Sequence, residues 1–324
     1  MKEIIIQAND ANQRLDKFLS KAFDSMPKSL MYKYIRTKRI KVNGKRADIS
    51  TRLSEGDCLS LYINDELLTP SKPRYDFLSS PTKLDIVYED DKVMLVNKPE
   101  GLVVHPDNTE YRDTLIMRIQ HYLYDKKEYL PDDEQSFKPA LVNRIDRNTG
   151  GIVIAAKTAE ALRILNEKLK NREIDKFYLC VVHGCPKKKS DILTGYLSKD
   201  EDKNIVKVYD HPRENGRTIR TQYTVVATKK QHSLLKVHLL TGRTHQIRAH
   251  MASIGCSLLG DGKYGVNKQD KKAGYKHQAL WSYQLKFNFT SDAGELEYLN
   301  GKSFQINDVW FVKELYPEIN IADI

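Results

Sequence analysis

A polar loop between two apolar runs carries the carboxylate best suited to act as a nucleophile. Residues 140–157 read ALVNRIDRNTGGIVIAAK, which predicts a strand, a loop and a second strand. Asp146 lies between Arg144 and Arg147, and nearby positive charge keeps a carboxylate ionised, as a nucleophile requires. The paired glycines at 150–151 permit close approach of another backbone or of a substrate. From these residues alone, an acidic turn with ordinary ion pairs is the open alternative.

A second stretch combines arginines and histidines around the start of a helix. Residues 239–255 read LLTGRTHQIRAHMASIG, and a strand is expected to pass into a helix over 244–254. Arg243 lies near the start of that helix, while His245 and Arg248 are three residues apart and share a face. These side chains are candidates for a functional site.

Histidines in and near this helix raise the question of a metal site. A helical zinc site needs two histidines four residues apart and a catalytic glutamate, and this pattern is absent. A metallohydrolase that uses His105, His245 and His250 stays as a hypothesis. The alternative is burial of His245 and His250 with hydrogen bonds to neighbouring carbonyls.

A third stretch, VNKPEGLVVHP at residues 96–106, places a lysine at a turn between apolar strands. Lys98-Pro99 followed by Glu100-Gly101 is typical of a turn. An ordinary hairpin turn explains this pattern as well as a functional lysine does.

A basic segment without a single acid covers residues 28–46, KSLMYKYIRTKRIKVNGKR. Its cations are Lys28, Lys33, Arg36, Lys38, Arg39, Lys41, Lys45 and Arg46. Apolar residues over 30–35 follow helical spacing, and Asn43-Gly44 marks a tight turn after a short strand. A short basic helix followed by a hairpin presents Lys and Arg to phosphates, so these residues are predicted to dock a nucleic acid. A solvated charged face is the alternative.

Length and composition restrict the class of protein. The 324 residues suggest about two domains, and 53 Lys and Arg against 43 Asp and Glu leave a net charge of +10 that favours a polyanionic partner. No apolar run approaches the ~18 residues of a membrane span. The N-terminus MKEIIIQAND lacks the apolar region of an export signal, and four cysteines are too few for a disulfide scaffold. We therefore expect a soluble protein without a membrane partner.

The expected elements divide the chain into a small module and a large domain. Residues 66–83 contain prolines and little periodicity, so they are predicted to link a module at 1–65 to a domain at 84–324. The strands are expected at 84–88, 93–96, 151–156, 177–182, 221–227 and 234–240, the helices at 115–124 and 158–171, and a polar loop at 125–138. Many strands without βαβ alternation favour an α+β fold.

Together these stretches resemble the RluA-type RNA pseudouridine synthases, preceded by an S4 RNA-binding domain. The S4-like part covers residues 13–63 and includes Arg14-Leu15-Asp16, the basic helix and the turns V-N-G and E-G-D. The family's central motif, H-R-L-D-x-x-T-S-G, is similar to residues 143–151. Further motifs match residues 98–105, 172–184, 241–250 and 259–265. The resemblance implies a large mixed, mainly antiparallel sheet with flanking helices behind a small α+β S4-like domain.

The resemblance also implies residue roles in the isomerisation of uridine. Asp146 would be the catalytic carboxylate, which either attacks the sugar or abstracts its proton. Tyr178 would stack on the target base and assist proton handling, and Arg248 would pair with Asp146. Arg144 would fill the gap left by the flipped uridine.

The remaining implied substrate-binding residues are Lys98 at the pocket edge, Arg243 and His245. The family needs no cofactor and no metal. Members with an S4 domain mostly act on large-subunit ribosomal RNA, which is the favoured substrate, and transfer RNA is the alternative. A cytoplasmic monomer is expected.

The central loop departs from the family's motif at three positions. Asn143, Ile145 and Gly150 stand where the family has His, Leu and Ser. These departures motivate a second hypothesis, a noncatalytic RNA-binding or ribosome-assembly protein that has kept the fold.

Overall fold

A computed structural model describes residues 1–69, 75–200, 205–214, 216–265 and 267–324. The helices are α1 (Leu15–Ala22), α2 (Lys28–Arg36), α3 (Leu115–Asp125), α4 (Ala159–Lys170), α5 (Gln246–Ser253), α6 (Asn267–Lys272) and α7 (Trp310–Leu315). The strands are β1 (Lys2–Ile5), β2 (Ile40–Val42), β3 (Lys45–Arg46), β4 (Cys58–Leu61), β5 (Ile86–Glu89), β6 (Val93–Lys98), β7 (Ala140–Leu141), β8 (Gly150–Ala156), β9 (Ile174–His183), β10 (Ser190–Asp200), β11 (Ile205–Tyr209), β12 (Arg217–Lys229), β13 (His232–Leu239), β14 (Leu280–Phe287) and β15 (Ser303–Gln305). None of the helices in these ranges is long and apolar enough to cross a bilayer.

A small α+β module forms the N-terminal part of the chain. Its sheet has the antiparallel order β1-β4-β2-β3, and α1 and α2 pack on it around a core of their own. The turn between β2 and β3 has Asn43 at φ 51° and Gly44 at φ 74°, the left-handed conformation that a two-residue hairpin turn needs. The expected basic helix, strand and tight turn are all present.

The large domain is built on one sheet with the strand order β11-β10-β12-β13-β9-β14-β8-β6-β5. Short β7 adds to β8 and β15 adds to β14. In the described part of this sheet every pair is antiparallel except β14 with β8. The predicted mixed, mainly antiparallel sheet is confirmed.

Both faces of the central strands are buried, which explains their continuous apolar sequence. In β8, Ile152 and Ile154 belong to the core on one face, whereas Val153 and Ala155 belong to the core on the other. Helix α4 packs along β8, and Thr158 caps its first turn by accepting a hydrogen bond from the Ala161 N–H at 3.1 Å. A rigid strand therefore follows the loop of Asp146.

The glycines that begin β8 let β14 approach closely. A Cβ atom on Gly150 would lie 2.3 Å from the ring of Trp281, and one on Gly151 would lie 2.2 Å from the Ser282 carbonyl oxygen. Gly151 also has φ 114°, which L side chains rarely adopt. The close approach predicted for these glycines is made by the backbone and side chains of β14.

The segment predicted as a linker over 66–83 is packed at its far end. Phe77, on a 3-10 turn at Asp76–Ser79, is buried in the core of the large domain beside Tyr124 and Tyr129. The boundary at residue 84 is therefore corrected, because isolated aromatic residues in a proline-rich stretch give no periodic signal. Residues 70–74 of the predicted linker lie outside the described ranges.

The polar insertion over 125–138 is a loop after α3, as expected, and it also contacts the N-terminal module. The Ser136 backbone N–H donates to the fully buried Asp10 carboxylate at 3.1 Å. The Gln135 amide donates to the Ile5 carbonyl at 2.7 Å, and the Asn9 amide donates to Glu134 at 2.8 Å. The insertion thus binds the small module to the large domain.

Candidate active site

Asp146 lies on the loop between β7 and β8, at the wall of a cavity of about 670 Å³. Its side chain is about 28% exposed, so a substrate can reach the carboxylate. Thr149 donates its backbone N–H to the Asp146 carbonyl at 3.0 Å, and the side chain of Ile145 is buried. The loop therefore holds Asp146 in a tight turn with its carboxylate open to the cavity.

Arg248, on α5, holds this carboxylate from the buried side. Its Nη1 donates to Asp146 Oδ2 at 2.9 Å, while its Nε and Nη2 donate to Asp261 at 2.7 and 2.8 Å. Burial alone would lower the pKa of Arg248, but the carboxylates of Asp261 and Asp146 raise it above its ordinary value. The guanidinium is thus a fixed cation, and the pairing implied for Arg248 and Asp146 is present.

Asp261 is the buried anchor of this arrangement. It is fully buried, and besides Arg248 its carboxylate accepts the backbone N–H groups of Lys263 at 2.9 Å and Tyr264 at 3.2 Å. Burial would raise the pKa of Asp261, but these donors and the Arg248 charge lower it. Asp261 belongs to a motif that carried the resemblance, but no local sequence pattern indicates that it supports Arg248.

His245 occupies the residue before α5 in a left-handed conformation with φ 53°. Its Nδ1 lies 3.0 Å from the hydroxyl of Tyr264, and its Nε2 lies 3.8 Å from Asp146 Oδ2. Because Tyr264 already accepts the Val206 N–H at 2.9 Å, its hydroxyl can donate to Nδ1, which favours a proton on Nε2 facing Asp146. Burial lowers the pKa of His245, although the Asp146 charge opposes this.

Tyr178 extends from β9 into the same cavity. Its side chain is buried, and burial together with the charge of Asp146 raises its pKa to about 12. The hydroxyl is therefore protonated at neutral pH, and the ring offers an apolar surface at the cavity wall.

The cavity brings together six of the residues singled out from the sequence. They are Arg144, Asp146, Tyr178, Arg243, His245 and Arg248. Arg144 and Arg243 are exposed at its surface. The cavity is also lined by four cations to which sequence analysis assigned no role, namely Lys170, Arg172, Lys176 and Arg220. A carboxylate surrounded by cations suits a polyanionic substrate.

Lys98 does not lie at the pocket edge, so this prediction is corrected. Its side chain is fully buried, and its ammonium donates to the carbonyls of Pro99, Leu102 and Arg147 at 2.7–2.8 Å. Burial lowers the pKa of Lys98 to about 7, against the opposing charges of Glu100 and Asp146. Lys98 therefore ties the strand β6 to the loop of Asp146, and the turn sequence did not indicate such burial.

The hypothesised histidine metal site finds no support in the geometry. His250 is buried with its Nδ1 2.9 Å from the Thr221 hydroxyl, and burial lowers its pKa to about 4. Over the described ranges, no three His, Cys, Asp or Glu side chains are grouped as a metal site would require. His250 is thus the buried histidine of the alternative interpretation, bonded to a hydroxyl rather than to a carbonyl.

The three departures from the family's loop motif each have a local structural role. The Asn143 side chain accepts the Ile154 N–H at 2.8 Å, and Ile145 contributes to the core below the loop. Gly150 leaves room for the ring of Trp281. The loop is therefore packed consistently around Asp146.

The predicted docking cations lie on the surface of the N-terminal module. Seven are exposed, and Lys41 is half-buried with its ammonium 5.3 Å from the ring centre of Tyr62. No carboxylate of the described chain lies within 4 Å of any of the eight. Their charge is therefore available to a partner.

Two family models match this chain, and curated relatives share much of its sequence. A family model for RNA pseudouridylate synthase matches residues 92–253, and the S4 domain model matches residues 13–58. An RNA pseudouridine synthase of Mycoplasma genitalium is 34% identical over 294 residues, covering 88% of each chain. The ribosomal large subunit pseudouridine synthase C of Vibrio parahaemolyticus is 31% identical over 299 residues, covering 89% of this chain and 88% of its own.

The solved structure of human RNA pseudouridylate synthase domain containing 4 shares the fold. Its TM-score is 0.57 at 19% identity, over 71% of this chain and 91% of its own. Taken with the matched families, these similarities assign the chain to the RNA pseudouridine synthases, which are isomerases that act on RNA, with an S4 domain at its N-terminus.

Proposed function

We propose that Asp146 is the catalytic carboxylate of this RNA pseudouridine synthase and that Arg248 and Tyr178 act beside it. The observation that carries the proposal is the 2.9 Å bond from Arg248 to Asp146 in a cavity that Tyr178 also lines. The bond from Arg248 orients the carboxylate, and partial exposure leaves it accessible to a flipped-out uridine.

The reaction exchanges one glycosidic bond for another. The bond from N1 of uracil to C1′ of ribose breaks, a bond from C5 to C1′ forms, C5 loses its proton and N1 gains one. Asp146 either attacks C1′ or removes a proton from the sugar, and the bond from Arg248 orients its carboxylate for either role. Tyr178 can stack on the uracil ring, and its hydroxyl, protonated at neutral pH, can donate a hydrogen bond to the base while C5 loses its proton and N1 gains one.

The exposed cations at the cavity surface would hold the RNA around the target. Arg144 lies two residues before Asp146 and is free to enter the gap that a flipped nucleotide leaves. Arg243 and His245, at the start of α5, face the same cavity and would contact the substrate beside the carboxylate.

Substitution of the carboxylate tests this assignment. Asp146→Asn is expected to abolish isomerisation in vitro while RNA binding stays close to wild type. Asp107→Asn, the same change at an exposed aspartate outside the cavity, is the matched control and should stay active. An active Asp146→Asn variant would refute the assigned role, and inactivity of both variants would show that the assay does not report on the site.

We propose large-subunit ribosomal RNA as the substrate. The support is the name of the Vibrio parahaemolyticus relative and the S4 module with its unpaired cations. Mapping of pseudouridines in total RNA, with and without the gene, should show the loss of one or more sites in that RNA. Loss confined to transfer RNA would select the alternative substrate, and an unchanged map would favour a noncatalytic RNA-binding protein.

We further propose that the enzyme is a monomer and that it works in the cytoplasm, where it would meet the ribosomal RNA proposed as its substrate. Sedimentation at concentrations used for assays should give the mass of a single chain. A dimer that dissociates with loss of activity would contradict this proposal.

A further inference from the structure

A second cavity lies in the N-terminal module, between α2 and the segment after β3. It has a volume of about 400 Å³, within the usual range of ligand pockets. Its lining residues are Ser29, Tyr32, Lys33, Ile35, Arg36, Arg46, Ala47, Asp48, Ile49 and Ser50. It shares no residue with the cavity of Asp146, so it is a separate candidate binding site.

Two large apolar side chains of the lining are exposed and do not belong to the core of the module. Tyr32 is 38% exposed and Ile49 is 37% exposed, whereas Ile35 and Ala47 are buried in the core below. An exposed aromatic ring beside a buried apolar floor offers a flat surface. Such surfaces bind nucleobases by stacking, because every base has an apolar face.

The charges of the lining complement a nucleotide in two ways. Lys33, Arg36 and Arg46 are exposed, and no carboxylate in the described ranges lies within 4 Å of them. They can therefore contact a phosphate. Asp48 contributes oxygens that only accept hydrogen bonds, which suits the N–H groups on the edge of a base rather than a phosphate.

We propose that this cavity binds one unpaired nucleotide of the RNA, with its base stacked on Tyr32 and its phosphate held by Arg36 and Arg46. The inference rests on the RNA-modifying function and adds a site at which the module distinguishes unpaired from paired RNA. A base inside a helix is stacked on both faces and paired along its edge, so it cannot enter. A continuous duplex can contact only the cations at the rim.

The test measures binding of the full-length protein to two RNAs that contain no uridine, so that no substrate is present. One is a two-strand duplex with a single bulged nucleotide, and the other is the same duplex without the bulge, so neither RNA has a hairpin loop that would offer further unpaired bases. Tyr32→Ala is expected to weaken binding of the bulged RNA about 5- to 150-fold, the range of one lost base–aromatic stack. Binding of the paired RNA should not change.

Two variants control for loss of structure and of exposed aromatic surface. Tyr32→Phe keeps the ring and should bind the bulged RNA like the wild type. Tyr62→Ala removes a tyrosine of the same module that is 41% exposed and lies outside the cavity, so it should not affect the preference for the bulge. Equal weakening for both RNAs, or no weakening with Tyr32→Ala, would overturn the proposal in favour of a surface that contacts phosphates only.

The dependence on salt separates the stacked base from the held phosphate. Tyr32→Ala should lower affinity by the same factor at every salt concentration, because stacking releases no counterions. Arg36→Ala should instead reduce the slope of log K against log salt by about one. A slope changed by Tyr32→Ala would contradict the stacking role. These measurements do not involve Asp146. A result that contradicts nucleotide binding at Tyr32 therefore leaves the catalytic proposal intact. An active Asp146→Asn variant likewise leaves the proposal of nucleotide binding intact.

Discussion

Asp261 does not line the cavity, but its replacement by asparagine is expected to reduce activity. The Asp261 carboxylate accepts four hydrogen bonds, two from Arg248 and one each from the N–H groups of Lys263 and Tyr264. Asparagine has nearly the same shape, but one of its two polar atoms is an NH₂ donor. That donor must face another donor, and the buried guanidinium loses one of its two counter-charges.

The size of the effect follows from the burial of both partners. Asp261 is fully buried and Arg248 is 6% exposed, and breaking a buried ion pair costs about 3–5 kcal/mol. Because Arg248 keeps Asp146 as a partner, we expect a loss near the lower limit, about 3 kcal/mol of unfolding free energy. A guanidinium shifted by ~1 Å no longer holds Asp146 in place, and such a displacement lowers kcat ~100-fold.

Two measurements on one preparation check both parts. Urea unfolding gives the change in stability, and release of the C5 hydrogen of uridine, labelled with tritium, gives kcat at saturating RNA. Asp210→Asn, the same change at an exposed aspartate, is the control and should alter neither quantity. A stable and fully active Asp261→Asn variant would refute the reasoning, whereas lost stability with unchanged kcat would show that Asp261 supports only the fold.

The remaining predictions concern four other positions. Tyr178→Phe keeps the ring but loses the hydroxyl, so RNA affinity should persist while kcat falls ~100-fold in the tritium assay; an unchanged kcat would leave Tyr178 with stacking alone. Lys98→Met should lower the unfolding free energy by about 2–4 kcal/mol in urea, because three buried carbonyls lose their donor; an unchanged midpoint would contradict this. Burial lowers the pKa of His250 to about 4, so the unfolded chain takes up a proton first as pH falls below 6.5, and up to about 3 kcal/mol of stability should be lost between pH 6.5 and 4. His250→Gln should lose less over that interval, and identical pH profiles would refute the assignment. Gly150→Ser should destabilise the protein in urea because its Cβ meets Trp281. The same change should cost less stability in a Trp281→Ala background, and equal costs in the two backgrounds would contradict the contact.

Local sequence was sufficient to locate the loop of Asp146 because a polar run between two apolar strands gives a sharp change in composition. It was also sufficient for α4, since Thr158 and the spacing of the leucines mark a capped helix. The pairing of Arg248 with Asp146 spans 102 residues and came from the family resemblance. Hydrophobic periodicity does not indicate a contact between residues so far apart in the sequence.

The same limit explains what the sequence did not reveal. The sequence around Lys98 indicates a turn. The burial of its ammonium, however, depends on the carbonyl of Arg147, which is 49 residues away. Phe77 stands in a proline-rich stretch and packs against α3, so its role in the core depends on a distant helix. In the sequence Asp261 is one acid in a polar loop, and its role follows only from the fold, which brings Arg248 beside it.

The pairing of β8 with β14 has a consequence for the newly made chain. β8 begins at Gly150, four residues after Asp146, but its neighbour on one side begins only at Leu280. The chain must therefore be synthesised at least through β14 before the strand that follows the loop of Asp146 is enclosed on both sides. Contacts of such long sequence separation form late in folding. Activity toward RNA should accordingly begin only after β14 has been synthesised, and a chain that stops before β14 should bind RNA through its N-terminal module without modifying it.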